Sequence, residues 1–208
     1  MRTLSTIVLG LIVSSMALAA DEKAARNTPP EGFKALFNGR DLAGWRGQAP
    51  DQNPYEMAKW SSEEKASKQK AADDDLRKHW RVQGGQIIND GGGAYLTTAR
   101  DYGDFELLVD WRLTPGTDSG IYLRGTPQVQ IWDPDNEGSR RLGADKGSGG
   151  LWNNGDKAPG KWPEVKADKP VGEWNTFRIL MIGERVSIWF NGQRVVDDAV
   201  LENYWDRA

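Results

Sequence analysis

From residue 80 onward, apolar and polar residues alternate with the two-residue period that is typical of antiparallel strands. The clearest case is 105–113, where the odd-numbered residues are all apolar and the even-numbered ones include Glu106, Asp110 and Arg112. Turn signals, above all Asn191-Gly192, separate the strands, because tight hairpins need residues that tolerate positive φ. The pattern predicts a two-sheet antiparallel sandwich or jelly roll, with strands at 80–82, 86–88, 94–98, 105–113, 119–124, 128–133, 174–182, 185–190 and from 195.

Residues 50–79 break this β pattern. They are rich in charged residues, and Ser61 and Glu64 have the spacing of a helical capping box. Glu64 and Lys68 stand four apart, which allows them to pair along a helix. We therefore expect a mostly solvated helical insertion near residues 55–79, and a disordered charged loop is the alternative. Residues 134–170, rich in Gly, Asp, Asn and Lys, predict long loops.

The N-terminus has the pattern of an export signal. Arg2 precedes an apolar run from Leu4 to Leu18, which ends in a small-residue cleavage site at Ala17-Leu18-Ala19. A membrane anchor is the alternative, but the run is shorter than the roughly 20 residues that span a bilayer. We expect a signal peptide at 1–19, a linker at 20–32 and one domain at 33–208. The mature protein is then periplasmic or secreted and not bound to a membrane.

Composition excludes several classes of protein. The net charge of −3 gives no sign of a nucleic-acid partner, which requires a concentrated basic face. The chain has no cysteine and a single histidine, His79, so a zinc site is not expected and no metal ligands are assigned. We expect His79 to be solvated at the end of the insertion. The sequence also contains no Gly-x-Ser-x-Gly elbow, P-loop or dinucleotide-binding glycine motif.

Polar side chains that suit sugar recognition project from three of the predicted strands. Amides, guanidinium groups and carboxylates bind hydroxyls, and aromatic rings cover the C–H face of a sugar. We therefore predict a concave saccharide-binding face, and an ordinary polar outer face is the alternative. Trp152 could form one wall of the groove or lie in the core. The candidates, grouped by strand, are Asp110 and Arg112, then Tyr122 and Arg124, then Gln128, Gln130 and Trp132.

An ordered set of motifs between residues 33 and 207 resembles the 3-keto-disaccharide hydrolase domain family. The resemblance implies a concanavalin-like jelly roll, and the insertion at 50–79 is similar to that of a planctomycete-type subgroup. The motifs are Leu36-Phe-Asn-Gly-Arg-Asp-Leu-Ala-Gly-Trp45, Asp104-Phe-Glu-Leu-Leu-Val-Asp-Trp-Arg112, Ser119-Gly-Ile-Tyr-Leu-Arg-Gly125, Val129-Gln-Ile-Trp-Asp133, Gly147-Ser-Gly-Gly-Leu-Trp-Asn153, and Trp174-Asn-Thr-Phe-Arg178 with Asn191-Gly192.

The chain departs from the family pattern at two places. Gly92 stands in a glycine run where the family leads us to expect a histidine. The family also continues beyond 203–207 with further strand, so we expect a truncated C-terminus.

The resemblance implies cleavage of glycosides that carry a ketone at the sugar C3. The ketone acidifies the C2 proton, so that a base can remove it and the C1 substituent leaves, after which water adds. The resemblance suggests Asp110 or Asp133 as the base and Tyr122 as the proton donor. Arg124 with Gln130 would bind the enolate and hydroxyls, and a divalent cation could replace Arg124. Remaining sugar contacts would come from Arg112, Gln128, Trp132 and Trp152.

The partners implied are a saccharide substrate and an upstream sugar 3-oxidoreductase that supplies the ketone. A non-catalytic carbohydrate-binding module is the main alternative, because a fold alone does not determine function. Hydrolysis by two carboxylates is a weaker alternative, since the comparable strand carries Gln128 and Gln130. A scaffold role is a further one. The enzyme hypothesis requires that Asp110, Arg124 and Gln130 share one hollow.

Overall fold

The computed structural model describes residues 27–50, 52–125 and 128–207. The described residues form two compact units. One comprises residues up to 52 together with 60–100, and the other comprises 53–59 together with 101 onward. The predicted signal peptide at 1–19 and residues 20–26 of the predicted linker lie outside the described residues. No helix within the described ranges is both long and apolar enough to cross a membrane.

The described residues contain ten strands, all paired antiparallel, and three α-helices. The helices are α1 Pro54–Lys59, α2 Ser62–His79 and α3 Glu137–Arg140. The strands are β1 Trp45–Gln48, β2 Trp80–Gln83, β3 Gln86–Asn89, β4 Tyr95–Thr98, β5 Phe105–Trp111, β6 Ser119–Tyr122, β7 Gln128–Ile131, β8 Asn175–Ile182, β9 Arg185–Phe190 and β10 Gln193–Val200.

The first unit packs α2 against two small two-stranded sheets, β1 with β4 and β2 with β3. The helix begins with the predicted capping box, because the Ser61 hydroxyl accepts from Glu64 N and the Glu64 carboxylate accepts from Ser61 N. The helix buries Ala72 and Leu76 in a small apolar cluster. The backbone of Gly47 on β1 lies so close to the Ala72 carbonyl oxygen that no Cβ would fit between them.

The second unit is a sandwich around the main hydrophobic core. One layer is a four-stranded sheet in the order β10-β9-β8-β5. The other layer is formed by the β6–β7 hairpin, extended by a bridge between Val129 and Leu151. Phe177, Ile179, Val129 and Leu151 are all 0% exposed and belong to one core cluster, so both layers contribute to it.

The alternation along β5 has the predicted consequence. Its odd-numbered residues pack against the core, and the Trp111 ring lies 5.5 Å from Phe177 and 5.6 Å from Phe190, measured between centroids.

The helical insertion is confirmed, which makes the alternative of a disordered loop wrong. The predicted strands at 119–124 and 128–133 are too long, because β6 ends at Tyr122 and β7 ends at Ile131.

The capping box predicts a measurable loss of helix stability. We expect Ser61→Ala to lower the free energy of unfolding by about 1 kcal/mol, because the amide of Glu64 loses its acceptor. Urea unfolding followed by helical circular dichroism tests this. Ser67→Ala, at an exposed position inside the same helix, is the control and should not destabilise it. Equal losses in both variants would contradict the capping argument.

Candidate functional site

The outer face of the β6–β7 hairpin carries three of the predicted site residues. The antiparallel register pairs Tyr122 with Gln128 and Gly120 with Gln130, and directly paired residues point to the same side of a sheet. Because Val129 packs into the core, these neighbours point away from it. Gly120 makes room for the glutamines, since a Cβ there would lie 2.5 Å from Oε1 of Gln128.

The two glutamines have different roles in this arrangement. Gln128 Nε2 donates to Gln130 Oε1, and Gln130 Nε2 donates to the Ser119 carbonyl at 3.1 Å. Gln130 is only 2% exposed, whereas Gln128 is partly exposed. Gln130 therefore holds the amide of Gln128 in place, and Gln128 is the glutamine that presents its side chain at the surface.

Two tryptophans continue this face, but only Trp152 is partly exposed; Trp132 is 4% exposed, so the prediction that it contacts a sugar is wrong. The rings of Trp132 and Trp152 meet edge to face with centroids 5.2 Å apart. Trp152 N donates to the Gln128 carbonyl at 3.1 Å, and Asn153 Oδ1 accepts from Gln128 N at 3.0 Å. Trp152 is not a core residue, because its neighbour Leu151 fills the core instead. We call Gln128, Gln130, Trp132 and Trp152 the glutamine–tryptophan face.

A buried lysine supports the tryptophans. Lys161 is 8% exposed, its Nζ lies 4.3 Å from the centroid of the Trp152 ring, and it donates to the Trp152 carbonyl oxygen. The same Nζ lies 5.3 Å from the Trp162 ring, which in turn lies 5.7 Å from Trp152. Cation–π attraction of this kind strengthens when the cation is desolvated. The charged side chain of Lys161 therefore packs against the Trp152 ring and stabilises its position.

Asp110 lies on the other side of the molecule's core from this face. Its neighbours Val109 and Trp111 pack inward, so Asp110 points to the outer surface of the four-stranded sheet, where its Oδ1 accepts from Thr176 Oγ1 at 2.6 Å. Gln130 points outward from the opposite layer. The prediction that Asp110 and Gln130 share one hollow is therefore wrong, because the hydrophobic core separates them.

The two predicted arginines also lie away from the glutamine–tryptophan face. Arg124 follows the end of β6 in a turn with φ of 49°, and its guanidinium donates to the Gly183 carbonyl in the β8–β9 turn. The prediction that it shares a strand face with Tyr122 is wrong, because the strand ends before it. Arg112 lies beyond the end of β5, 5.0 Å from the ring of Trp174.

Asp133 has a structural role in a turn. It is 6% exposed, and its two carboxylate oxygens accept from Gly116 N at 2.7 Å and from Asp135 N at 2.9 Å. Because both oxygens are occupied by backbone donors and the residue is buried, the Asp133 carboxylate is not available to a ligand at the surface. Of the predicted catalytic set, only Tyr122 lies on the hairpin face with the glutamines.

A small cleft with a cavity volume of about 10 Å³, room for roughly one water molecule, lies at the end of the sandwich, and the buried Trp132 lines it as well as contacting Trp152. Asp168 lines the cleft, and burial raises the pKa of its carboxyl group although Ser148 N donates to it at 3.1 Å. Trp111 also lines the cleft, and its indole Nε1 is buried without a hydrogen-bond partner among the described residues. Perturbed carboxyl groups in clefts are frequent at functional sites.

Sequence reasoning missed Asp168 because it lies in a loop. Residues 134–170 have no two-residue period, so their side chains could not be assigned to a face from the pattern. The one signal that the sequence offered was the motif at 147–153, whose Ser148 turns out to be the partner of Asp168.

In the first unit, the single histidine of the chain lies against the glycine run. His79 Nδ1 is 3.0 Å from Asp90 Oδ1, and this hydrogen bond lowers the pKa of Asp90. A Cβ on Gly92 would lie 3.3 Å from the same nitrogen, and one on Gly93 would overlap the ring. His79 is therefore partnered rather than solvated as predicted, and the glycines leave the space that its ring occupies.

The described ranges contain no group of three or more His, Cys, Asp or Glu side chains arranged to hold a metal ion. The sequence led us to expect that a divalent cation could take the place of Arg124, and Arg124 itself contacts the β8–β9 turn.

The geometry describes an antiparallel β-sandwich with the amide of Gln128 and the indole of Trp152 partly exposed on one outer face. Residues 32–208 match the family model of the 3-keto-alpha-glucoside-1,2-lyase-like domain, and the chain belongs to this family. A relative named 3-keto-disaccharide hydrolase, from Bacteroides thetaiotaomicron, is 26% identical over 92% of this chain and 67% of its own length.

A crystal structure of a candidate glycosyl hydrolase from Parabacteroides distasonis is also similar. It is 23% identical, the match covers 89% of this chain and 78% of that one, and the TM-score is 0.53. At this identity the likeness bears on the fold alone. The predicted family resemblance and the all-β jelly-roll class are confirmed.

The turn at Asp133 predicts a loss of stability on truncation. We expect Asp133→Ala to lower the free energy of unfolding by about 1–3 kcal/mol, because two backbone N–H groups lose their acceptor. Chemical denaturation measures the change. Asp135→Ala removes a carboxylate that is 83% exposed and should leave the stability nearly unchanged. A neutral effect of Asp133→Ala would contradict the structural role.

The raised pKa of Asp168 predicts how its contribution to stability depends on pH. A carboxyl group whose folded pKa is raised stabilises the fold while protonated, and this contribution is lost as the pH rises through the folded pKa. We therefore expect Asp168→Asn to gain stability relative to the unchanged protein between about pH 3 and pH 7. Thermal unfolding across this range tests the sign, and a relative loss would contradict it.

Proposed function

We propose that this protein is an enzyme that cleaves the glycosidic bond of 3-keto-glucosides by elimination followed by hydration. The observation that carries the proposal is the match of residues 32–208 to a family described as 3-keto-alpha-glucoside-1,2-lyase-like. The relative named 3-keto-disaccharide hydrolase supports the same substrate class. Lyase and hydrolase describe one chemistry here, because elimination and subsequent addition of water amount to hydrolysis.

The proposed chemistry needs no nucleophilic side chain. A ketone at C3 acidifies the proton on C2, so a base can remove it and leave an enolate. The enolate expels the C1 oxygen substituent, which takes up a proton, and a C1–C2 double bond remains next to the restored ketone. Water then adds its oxygen to C1 and a proton to C2. General acid–base catalysis and stabilisation of the enolate are the two contributions that a protein can make to this reaction.

We assign sugar binding to the glutamine–tryptophan face. The amide of Gln128 is suited to hydroxyl groups, and the partly exposed ring of Trp152 is suited to the C–H face of a sugar ring, whereas Trp132, which is 4% exposed, packs against Trp152 from within. Tyr122, paired with Gln128 across the hairpin, is the proposed proton donor to the leaving oxygen. Gln130 acts by holding Gln128.

A non-catalytic carbohydrate-binding module is the second candidate. It is favoured by one observation, namely that Asp110 and Asp133 both lie where they cannot act as a base on a sugar held at this face. Neutral amides and indoles can bind a sugar, but they do not remove protons from carbon.

Two further proposals follow from the substrate class. A C3 ketone arises by oxidation of a secondary alcohol, so a sugar 3-oxidoreductase must supply the substrate. The apolar N-terminal run with its cleavage site supports export, which would place the protein in the periplasm or outside the cell.

Incubation with 3-keto-sucrose or 3-keto-trehalose tests the enzyme proposal. We expect release of 3-keto-glucose well above the rate of a protein-free blank. Binding without turnover would refute the enzyme and favour the binding module. If the protein neither binds nor cleaves these sugars, both candidate functions are contradicted.

The face can be tested with a matched pair of variants. Gln128→Ala removes a hydrogen bond to the sugar and should raise KM about tenfold with little change in kcat. Asp110→Asn, on the outer surface of the other layer, should leave both constants unchanged. A strong effect of Asp110→Asn together with none of Gln128→Ala would refute the assignment of the face.

A further inference from the structure

The side-chain amides of Gln130 and Gln128 form a hydrogen-bond chain whose direction is set by the backbone. Gln130 Nε2 lies 3.1 Å from the carbonyl oxygen of Ser119 and 3.3 Å from the carbonyl oxygen of Ile131. A carbonyl oxygen can only accept a hydrogen bond, so the end of the Gln130 amide beside these two groups must be its NH₂ end. The other end of this amide, Oε1, therefore faces Gln128.

Gln128 takes its orientation from Gln130. Because Gln130 Oε1 can only accept, Gln128 has to turn its Nε2 towards it, and this nitrogen donates to that oxygen. Gln130 is 2% exposed, and rotating its amide by half a turn would bury Oε1 against two carbonyl oxygens without a donor. The orientation of the Gln128 amide is thus fixed by a buried residue and not by the solvent.

Gln128 Oε1 is the end of the chain that a ligand can reach. It lies over Gly120, where a Cβ would be only 2.5 Å away from it. Both residues are partly exposed, and among the residues that the structure describes none donates to this oxygen. The hairpin therefore presents a hydrogen-bond acceptor of fixed direction at its surface.

The Trp152 ring lies beside this acceptor. Trp152 N donates to the backbone carbonyl of Gln128 at 3.1 Å, which keeps the two residues adjacent, and the ring is partly exposed. In a pyranose whose C–H face stacks on an indole, the equatorial hydroxyl groups project from the rim of the sugar ring. A sugar on Trp152 would therefore bring a hydroxyl group to Gln128 Oε1.

A hydroxyl group can donate to this acceptor, whereas a ketone cannot. Oxidation of the hydroxyl that contacts Oε1 would remove its hydrogen and leave two acceptors facing each other. Sites that hydrogen-bond a substrate hydroxyl reject analogues that lack it. The face also offers no base for the C2 proton of the oxidised ring, because its polar side chains are the amides of Gln128 and Gln130 and the phenol of Tyr122.

From these observations we propose that Gln130 is a positioning residue that fixes Gln128 as a hydrogen-bond acceptor, and that the face thereby selects the unoxidised sugar of the substrate. This inference rests on the function proposed above, in which the unoxidised sugar is the leaving group. Tyr122, the proposed proton donor to the leaving oxygen, is paired with Gln128 across the hairpin. The leaving sugar then lies on the side of Gln128 and Trp152, and the oxidised ring lies beyond Tyr122.

Fluorine substitution of a sugar tests the acceptor. Methyl α-glucoside has no ketone, so its binding can be measured without turnover, and fluorine replaces a hydroxyl at similar size but removes its hydrogen. We expect fluorination at one of the positions C2, C3, C4 and C6 to weaken binding about tenfold. NMR titration measures the affinities. In Gln128→Ala, the parent glucoside should bind as weakly as this fluorinated form, and fluorination should cost nothing further.

Two more variants test the positioning role. Gln130→Met keeps the length of the buried side chain and removes both ends of its amide, so Gln128 can present either end. The fluorine penalty should then become clearly smaller although Gln128 is still present, a result that a merely structural role would not produce. Gln193→Ala removes an exposed amide at the start of β10 and, as the control, should leave the penalty unchanged. If Gln130→Met does not fold, the comparison with Gln128→Ala still decides the acceptor.

The outcomes separate this inference from the proposed function. If the protein cleaves 3-keto-trehalose but binds every fluorinated glucoside as well as the parent, the inference is overturned and the function stands. A fluorine penalty that persists in Gln128→Ala overturns the assignment of the acceptor, and an unchanged penalty in folded Gln130→Met overturns the role of Gln130. If the protein binds the glucoside and cleaves no 3-keto sugar, the enzyme proposal fails, and the assignment of a leaving sugar fails with it.

Discussion

One hydrophobic core is covered on both sides by strands in which apolar and polar residues alternate. This core determines on which surface the polar residues of the strands in the second unit lie. Once Val109 and Trp111 of β5 are buried, Asp110 has to face outward on that layer, and once Val129 is buried, Gln128 and Gln130 have to face outward on the other. Two polar groups on different layers are then separated by the whole thickness of the core, which is roughly 10 Å between sheets. The chemistry must use groups that lie on one side.

The periodic parts of the sequence were the predictable parts. The inward face of β5, the capping box of α2 and the shared face of Gln128 and Gln130 all follow from local spacing, which the sequence displays directly. Which layer a strand joins depends on long-range pairing, and local spacing carries no information about that. For this reason the prediction that Asp110 and Gln130 share one hollow was wrong, although each residue was correctly placed on the outward face of its strand.

Irregular backbone accounts for the remaining errors. Arg124 left its predicted face because the chain turns through a positive φ immediately after β6, and Asp133 became part of a turn because β7 ends two residues earlier. Asp168 was missed because its loop gives no periodic signal, and the same irregularity lets a carboxylate approach Ser148 and Trp132 at the sandwich end.

The glycine on β1 has a consequence for how the helical insertion can change over time. Because the chain of β1 passes the carbonyl of Ala72 with no room for a Cβ at residue 47, the insertion and β1 are mutually fitted parts and not independent modules. A lineage that lost or lengthened the helix would lose the reason for this glycine, and one that acquired a larger residue at 47 would have to move the helix away. Grafting the insertion onto a relative without such a glycine would therefore require two coordinated changes.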